Sequence, residues 1–87
     1  MEKESLLEFP TEFPIKALGR EHPDFLTAVV ELVAAHARFD TENDVREQLS
    51  SNGNFVSVTV TFTAESQVQV DAIYQSLHDH ELVMMVF

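Results

Sequence analysis

Cysteine is absent from the 87-residue chain, which excludes disulfide staples and thiolate metal sites alike. A domain this small must then hold together by core packing alone. Basic side chains are scarce, with five lysines and arginines against fifteen aspartates and glutamates, for a formal net charge of -10 at pH 7. Such a field repels polyphosphates and anionic lipid, so neither nucleic acid nor a membrane surface is an expected partner. Glycine occurs twice, and no glycine-rich phosphate loop is present. Long apolar runs are also missing, since Ala28-Val29-Val30 and Leu82 to Phe87 fall far below membrane-spanning length. The Met1-Glu2-Lys3-Glu4-Ser5 start has no basic region leading into an apolar signal run, so a cytoplasmic location is expected. No low-complexity tract or long repeat occurs.

What the chain does contain is periodicity. Phe13, Ile15 and Ala17 alternate with Pro14, Lys16 and Leu18, the period of a strand, which Gly19 is expected to end through unusual backbone angles. Pro14 lacks a donor and belongs where no partner needs one. Pro23 suits the first helical position, with Asp24 beside it favourable at the positive end. The apolar stripe that follows is Leu26, Val29, Val30 and Val33, with Phe25, Leu32 and Ala37 at its margins, predicting a helix that ends near Ala37. Asn52-Gly53 between two extended runs predicts a hairpin with a two-residue type I′ turn. That turn sets Leu49 opposite Val56, Glu47 opposite Val58 and Val45 opposite Val60. Ser66-Gln67-Val68-Gln69 reads as a capping box opening a second helix with Val70, Ile73, Tyr74 and Leu77 on its inner face. The closing run Leu82 to Phe87 reads as a strand with Val83, Met85 and Phe87 inward.

Strand, helix, strand, strand, helix, strand is the order of an α+β, ferredoxin-like βαββαβ sandwich. The expected sheet has four antiparallel strands in the order 4-1-3-2, with both helices on one face. Residues 1–11 are expected to form an N-terminal tail, partly packed through Leu6, Leu7 and Phe9, and residues 12–87 a single domain. The uncovered face should then carry Lys16, Leu18, Phe55, Ser57, Thr59, Thr61, Leu82, Met84 and Val86. That is more contiguous apolar surface than a monomer ordinarily exposes, so this face is a candidate contact surface for a second copy or another protein.

The same topology gathers Arg20, His22, Asn54, His78, Asp79 and His80 at one end, with His36 at the other. His22, His78 and His80 are candidate nitrogen ligands for a divalent metal, although their spacing matches no established ligand pattern and surface histidines account for them better. Arg20 ahead of the first helix is a candidate anion holder, opposed by the neighbouring Glu21 and Asp24. Asp40, Glu42 and Asp44 lie in an open turn with nothing apolar to raise a pKa. Phe55 on an open sheet is reminiscent of base-stacking aromatics, but the expected face offers no second aromatic and few cations. No catalytic residue and no cofactor is expected.

Further stretches are Leu6-Leu7-Glu8-Phe9-Pro10-Thr11, then Lys16, Gly19, Pro23, Val29-Val30-Glu31 and His36-Ala37, followed by Gly53-Asn54, Ser57-Val58, Gln69-Val70, Tyr74 and Met85-Val86. Together they resemble the YbeD-like family of small uncharacterised bacterial proteins, a domain of unknown function. The resemblance implies a ferredoxin-like fold similar to ACT regulatory domains, and it assigns no catalytic or ligand residue. Met84 departs from it, standing where a relative carries arginine. The expected function is a non-enzymatic regulatory or adaptor-like domain acting through protein contacts. The alternatives are an ACT-like small-ligand or metal sensor and a small phosphate-handling hydrolase built on Arg20.

Overall fold

The computed structural model describes residues 8–87. In chain order the elements are β1 (Thr11–Arg20), α1 (Phe25–Ala34), β2 (Val45–Leu49), β3 (Phe55–Ala64), α2 (Gln67–His78) and β4 (Met85–Val86). The strands form one four-stranded antiparallel sheet in the order β2-β3-β1-β4, the ferredoxin-like order expected from the sequence. The two long central strands pair over their full length, from Thr11 opposite Ala64 to Arg20 opposite Phe55. One side of the sheet presents Ile15, Ala17, Val56, Val58, Val60, Phe62 and Ala64, which merge into a single core with Phe25, Val29 and Val33 of α1 and Val70, Ile73 and Leu77 of α2. Both helices therefore cover the same face. Burying each large side chain of this core contributes about 1.5–3 kcal/mol, and among the described residues no polar or charged side chain is buried with them. Phe13 packs at the margin, 5.7 Å from the Phe62 ring and 6.3 Å edge-on from Tyr74. Phe9 is partly buried against the core. Leu6 and Leu7, expected to pack in the same way, lie outside the described residues.

Several local expectations change. Gly19 does not end β1; it lies within the strand opposite Val56. Its role is steric, because a Cβ there would collide with the Leu82 carbonyl oxygen and the Phe25 ring, with Phe25 Cδ1 also within 3.1 Å. Phe25, placed at the margin of the α1 stripe by periodicity, is accordingly fully buried. Helix α1 begins at Phe25 rather than Pro23 and ends at Ala34 rather than Ala37. Pro23 and Asp24 form a turn instead, in which the Phe25 N–H donates to the His22 carbonyl at 3.1 Å and the Asp24 N–H to His22 Nδ1 at 3.0 Å.

The hairpin keeps its expected register, with Val45 opposite Val60, Glu47 opposite Val58 and Leu49 opposite Val56. Its turn is not type I′, since only Gly53 has positive φ, at 76°. The Ser50 N–H donates to the Phe55 carbonyl at 2.9 Å, and the Gly53 N–H to the Ser50 carbonyl at 2.9 Å. The Asn52 side chain then accepts from the Asn54 N–H at 3.0 Å. These side-chain bonds satisfy the turn without a left-handed asparagine. Ser66 caps α2, accepting from the Gln69 N–H at 3.1 Å. Gln69 returns to the Glu65 N–H at 2.6 Å rather than to Ser66, and its amide also donates to the His36 carbonyl at 2.8 Å.

Strand β4 is short, and among the described residues no strand pairs with the rest of that edge of β1. Lys16 exchanges backbone bonds with Phe87, at 3.2 and 2.8 Å. By alternation the backbone of Pro14 faces the same side, beyond the point where β4 pairs, and among the described residues no strand pairs with it there. Its missing N–H thus falls on an open edge.

Candidate functional site

The face of the sheet turned away from the helices is built by alternation along three strands. β1 contributes Lys16, Leu18 and Arg20, β3 contributes Phe55, Ser57 and Thr59, and β2 contributes Arg46 opposite Thr59. Leu18 and Phe55 are half-buried, Lys16 and Arg20 exposed.

Strand β4 alters the expected membership. Val86 stands opposite Ala17, so it faces the helices, beside a hollow also lined by Tyr74 and His78. Leu82 packs partly buried against the core. Met84 is 55 % exposed at the tip, near Arg20 and His22. Val86 and Leu82 are therefore removed from the contact face. Leu82 lies in the turn ahead of the strand, where its N–H donates to His80 Nδ1. For Val86 the reason is a one-residue offset, because Val83 and Val86 both pack toward the core although strict alternation would place them on opposite sides. The irregularity falls at Met84-Met85, where the Met84 N–H donates to the Leu18 carbonyl at 2.8 Å while Met85 is the Cα partner of Leu18. An extra residue of this kind is the action of a β-bulge. It brings Met85 and Phe87, both expected inside, to the open face.

Two aromatic rings consequently lie on this face, each with a cation above it. Lys16 Nζ is 5.8 Å from the Phe87 ring centroid, and Arg20 Cζ is 5.6 Å from that of Phe55. Both distances fall within cation–π range, worth about 0.5–1 kcal/mol at exposed sites. Leu18 separates the two pairs, and a shallow depression lies among Lys16, Leu18, Phe55, Ser57, Phe87 and Leu49. The charge here opposes that of the whole molecule. Of the five basic residues in the chain, Lys16, Arg20 and Arg46 share this face, while Glu12 stands at the far end of β1 and Asp44 borders a hollow with Arg46, Thr59 and Thr61.

The histidines form no comparable cluster. His22 Nδ1 accepts from Asp24, His80 Nδ1 accepts from the Leu82 N–H at 3.1 Å, and His78 Nδ1 lies 3.5 Å from Asp79 Oδ1. Each ring is engaged by its own local segment, His78 at the end of α2 and the other two in loops, and His22 and His78 border different hollows. Among the described residues no group of three or more metal-binding side chains is assembled. His36 lies near Gln69 and the start of α2, with Nε2 3.3 Å from Ser76 Oγ. Arg20 does not join the start of α1 in an anion cradle. Its guanidinium lies over Phe55, and the N–H groups of Asp24 and Phe25 are already bonded to His22. Asp40, Glu42 and Asp44 form a turn closed largely by their own side chains, which the Thr61 N–H ties to β3 by donating to the Asp44 carbonyl at 2.9 Å. Asp40 Oδ1 accepts from the Glu42 N–H at 2.8 Å and the Asn43 N–H at 3.3 Å, and Oδ2 accepts from the Asn43 amide at 2.9 Å. The Glu42 bond, followed by those of Asn43, holds the Asp40 carboxyl below its ordinary value.

Residues 4–87 match the profile of a family described as "Protein of unknown function (DUF493)". The chain belongs to the DUF493 family. A UPF0250 protein of Chromobacterium violaceum is 47% identical over 85 residues, covering 98% of this chain and 96% of its own. A UPF0250 protein of Nitrosomonas europaea is 38% identical over 86 residues, covering 99% of each. These are the YbeD-like proteins that the sequence resembles. The solution structure of protein HP0495 from H. pylori is similar with a TM-score of 0.71 at 14% identity, covering 98% of this chain and 89% of its own. That likeness bears on the fold. The DUF493 description assigns no residue a role, so the candidate site rests on the geometry of the open sheet.

Proposed function

We propose that this DUF493 chain is a non-enzymatic regulatory or adaptor-like contact module that binds another protein through its open sheet face. The observation that carries the reading is the group Leu18, Phe55, Met85 and Phe87 on the side that neither helix covers. Contiguous apolar side chains on a solvent face favour association, and the flanking cations add orientation to it. The reading includes no catalytic step. Its charged groups stand at the surface rather than in a low-dielectric cleft of the kind that tunes a general acid or base.

The test is a photo-crosslinking residue placed at Ser57 on the open face or at Asp71 on α2, in bacterial cells. Covalent adducts from position 57 that are absent from position 71, and lost in a Leu18→Glu/Phe55→Glu background that stays folded by circular dichroism, are the expected result. Adducts that form equally from both positions, or that survive the double substitution, would refute the reading.

A further inference from the structure

Lys16 and Arg20 lie four residues apart on the same side of β1, about 13 Å along the strand, with half-buried Leu18 midway between them. An extended peptide repeats its own side chains with the same period. We infer that the open face docks an extended segment of a partner protein carrying two carboxylates four residues apart with an apolar residue midway, the carboxylates meeting Lys16 and Arg20 and the apolar residue meeting Leu18. This inference rests on the contact-module reading and names the chemistry of the partner.

Charge selects the occupant. The chain carries a net charge of -10, yet three of its cations stand on this one surface, and Arg46 shares the row of Lys16 and Thr59, two strands over, about 10 Å away. A second copy packed face to face would oppose these cations to one another, and like charges in apposition are disfavoured. A nucleic acid would bring a dense line of phosphates against a molecule of net charge -10, while three cations release few counterions. Two carboxylates in an apolar segment match the number of cations along β1 and cover the apolar surface between them. Each cation already rests on a ring, so its alkyl stem is held and less freedom is lost on binding. The Phe55 and Phe87 rings flank the segment on either side of β1.

Panning a phage-displayed library of random dodecapeptides against the full chain tests this. Enriched sequences are expected to share an acidic residue, an apolar residue two positions on and a second acidic residue two beyond that. The corresponding synthetic peptides should shift the amide resonances of Lys16, Leu18 and Arg20, bind at least tenfold more weakly to a Lys16→Glu/Arg20→Glu variant that keeps its amide dispersion, and weaken as salt rises. Neutral or basic peptides that shift these same amides would overturn the acidic partner and leave the contact face standing. Peptides that shift only the helix layer would overturn both. No enrichment, an oligouridine binding this face more tightly than any peptide, or self-association through it would each overturn the inference.

Discussion

Gly19 marks a close approach, where β1, the Leu82 carbonyl and the Phe25 ring meet with no room for a Cβ. Gly19→Ala forces that carbonyl or the ring to move and is expected to cost about 1–3 kcal/mol or more, read as a lower urea midpoint with an unchanged slope. Alanine at position 53 has open space around it but must adopt φ 76°, so Gly53→Ala is expected to cost only about 1–2 kcal/mol. Asp40 ties stability to pH. Its native pKa is depressed, so its contribution is fully present above the unfolded aspartate value of about 3.9 and is lost as pH falls through the lower native value. A carbon-detected titration should place its midpoint below 3.9 or so, and Asp40→Ala should flatten the acid limb of the stability curve. A midpoint in the ordinary range would contradict the hydrogen bonds of the turn. Neither the need for glycine at position 19 nor these bonds are legible in the sequence, because both depend on groups brought together by folding or by turn geometry.

At the scale of the element, legibility tracks how regular each segment is. The alternation from Phe55 to Phe62 gave the correct inner and outer faces of β3, and the hairpin register held although its turn differs. The register survived because a four-residue loop centred on Asn52-Gly53 pairs the same residues as a two-residue loop there. Helix α1 was harder to delimit. Pro23 suits a first helical position and a turn equally well, and the bonds to His22 decide for the turn. β4 is the instructive failure, since alternation assumes no inserted residue and the offset at Met84-Met85 reverses everything after it. Two adjacent methionines between valines carry no signal for a bulge, so Phe87 could not be placed on the contact face from its position alone. The capping serine was legible, as Ser66 followed by Gln69 is a local signature. Ser66→Ala is expected to lower stability by about 1 kcal/mol, measured by thermal unfolding, and Ser66→Asp to restore most of it.

For the whole molecule the governing fact is the separation of charge, with a basic, aromatic sheet face on an otherwise acidic body. The candidate site was half legible for this reason. Lys16, Leu18 and Phe55 follow from alternation, whereas Arg20 joins them only because β1 continues through Gly19, and Arg46 only through the register of β2 on β3. Repulsion among the remaining carboxylates opposes the compact state. Added salt screens it, so 0.5 M sodium chloride, about a 4 Å Debye length, is expected to raise the melting temperature by about 4 °C. The same salt should weaken any partner held by Lys16 and Arg20. A single salt series therefore moves folding and docking in opposite directions, a pattern that an interface lacking charge would not produce.

The stretch of β1 that no described residue pairs with on its β4 side bears on how the protein behaves when concentrated. A bare strand margin invites a neighbouring molecule to lengthen the sheet, the first step toward fibrils. Pro14 breaks the row of donors such an intruder would need, and the greasy anchors nearby point out of the sheet plane rather than along its rim. Stacking without end is thereby discouraged while broadside adhesion stays available, so one flank of the molecule can remain sticky without becoming a template for its own aggregation.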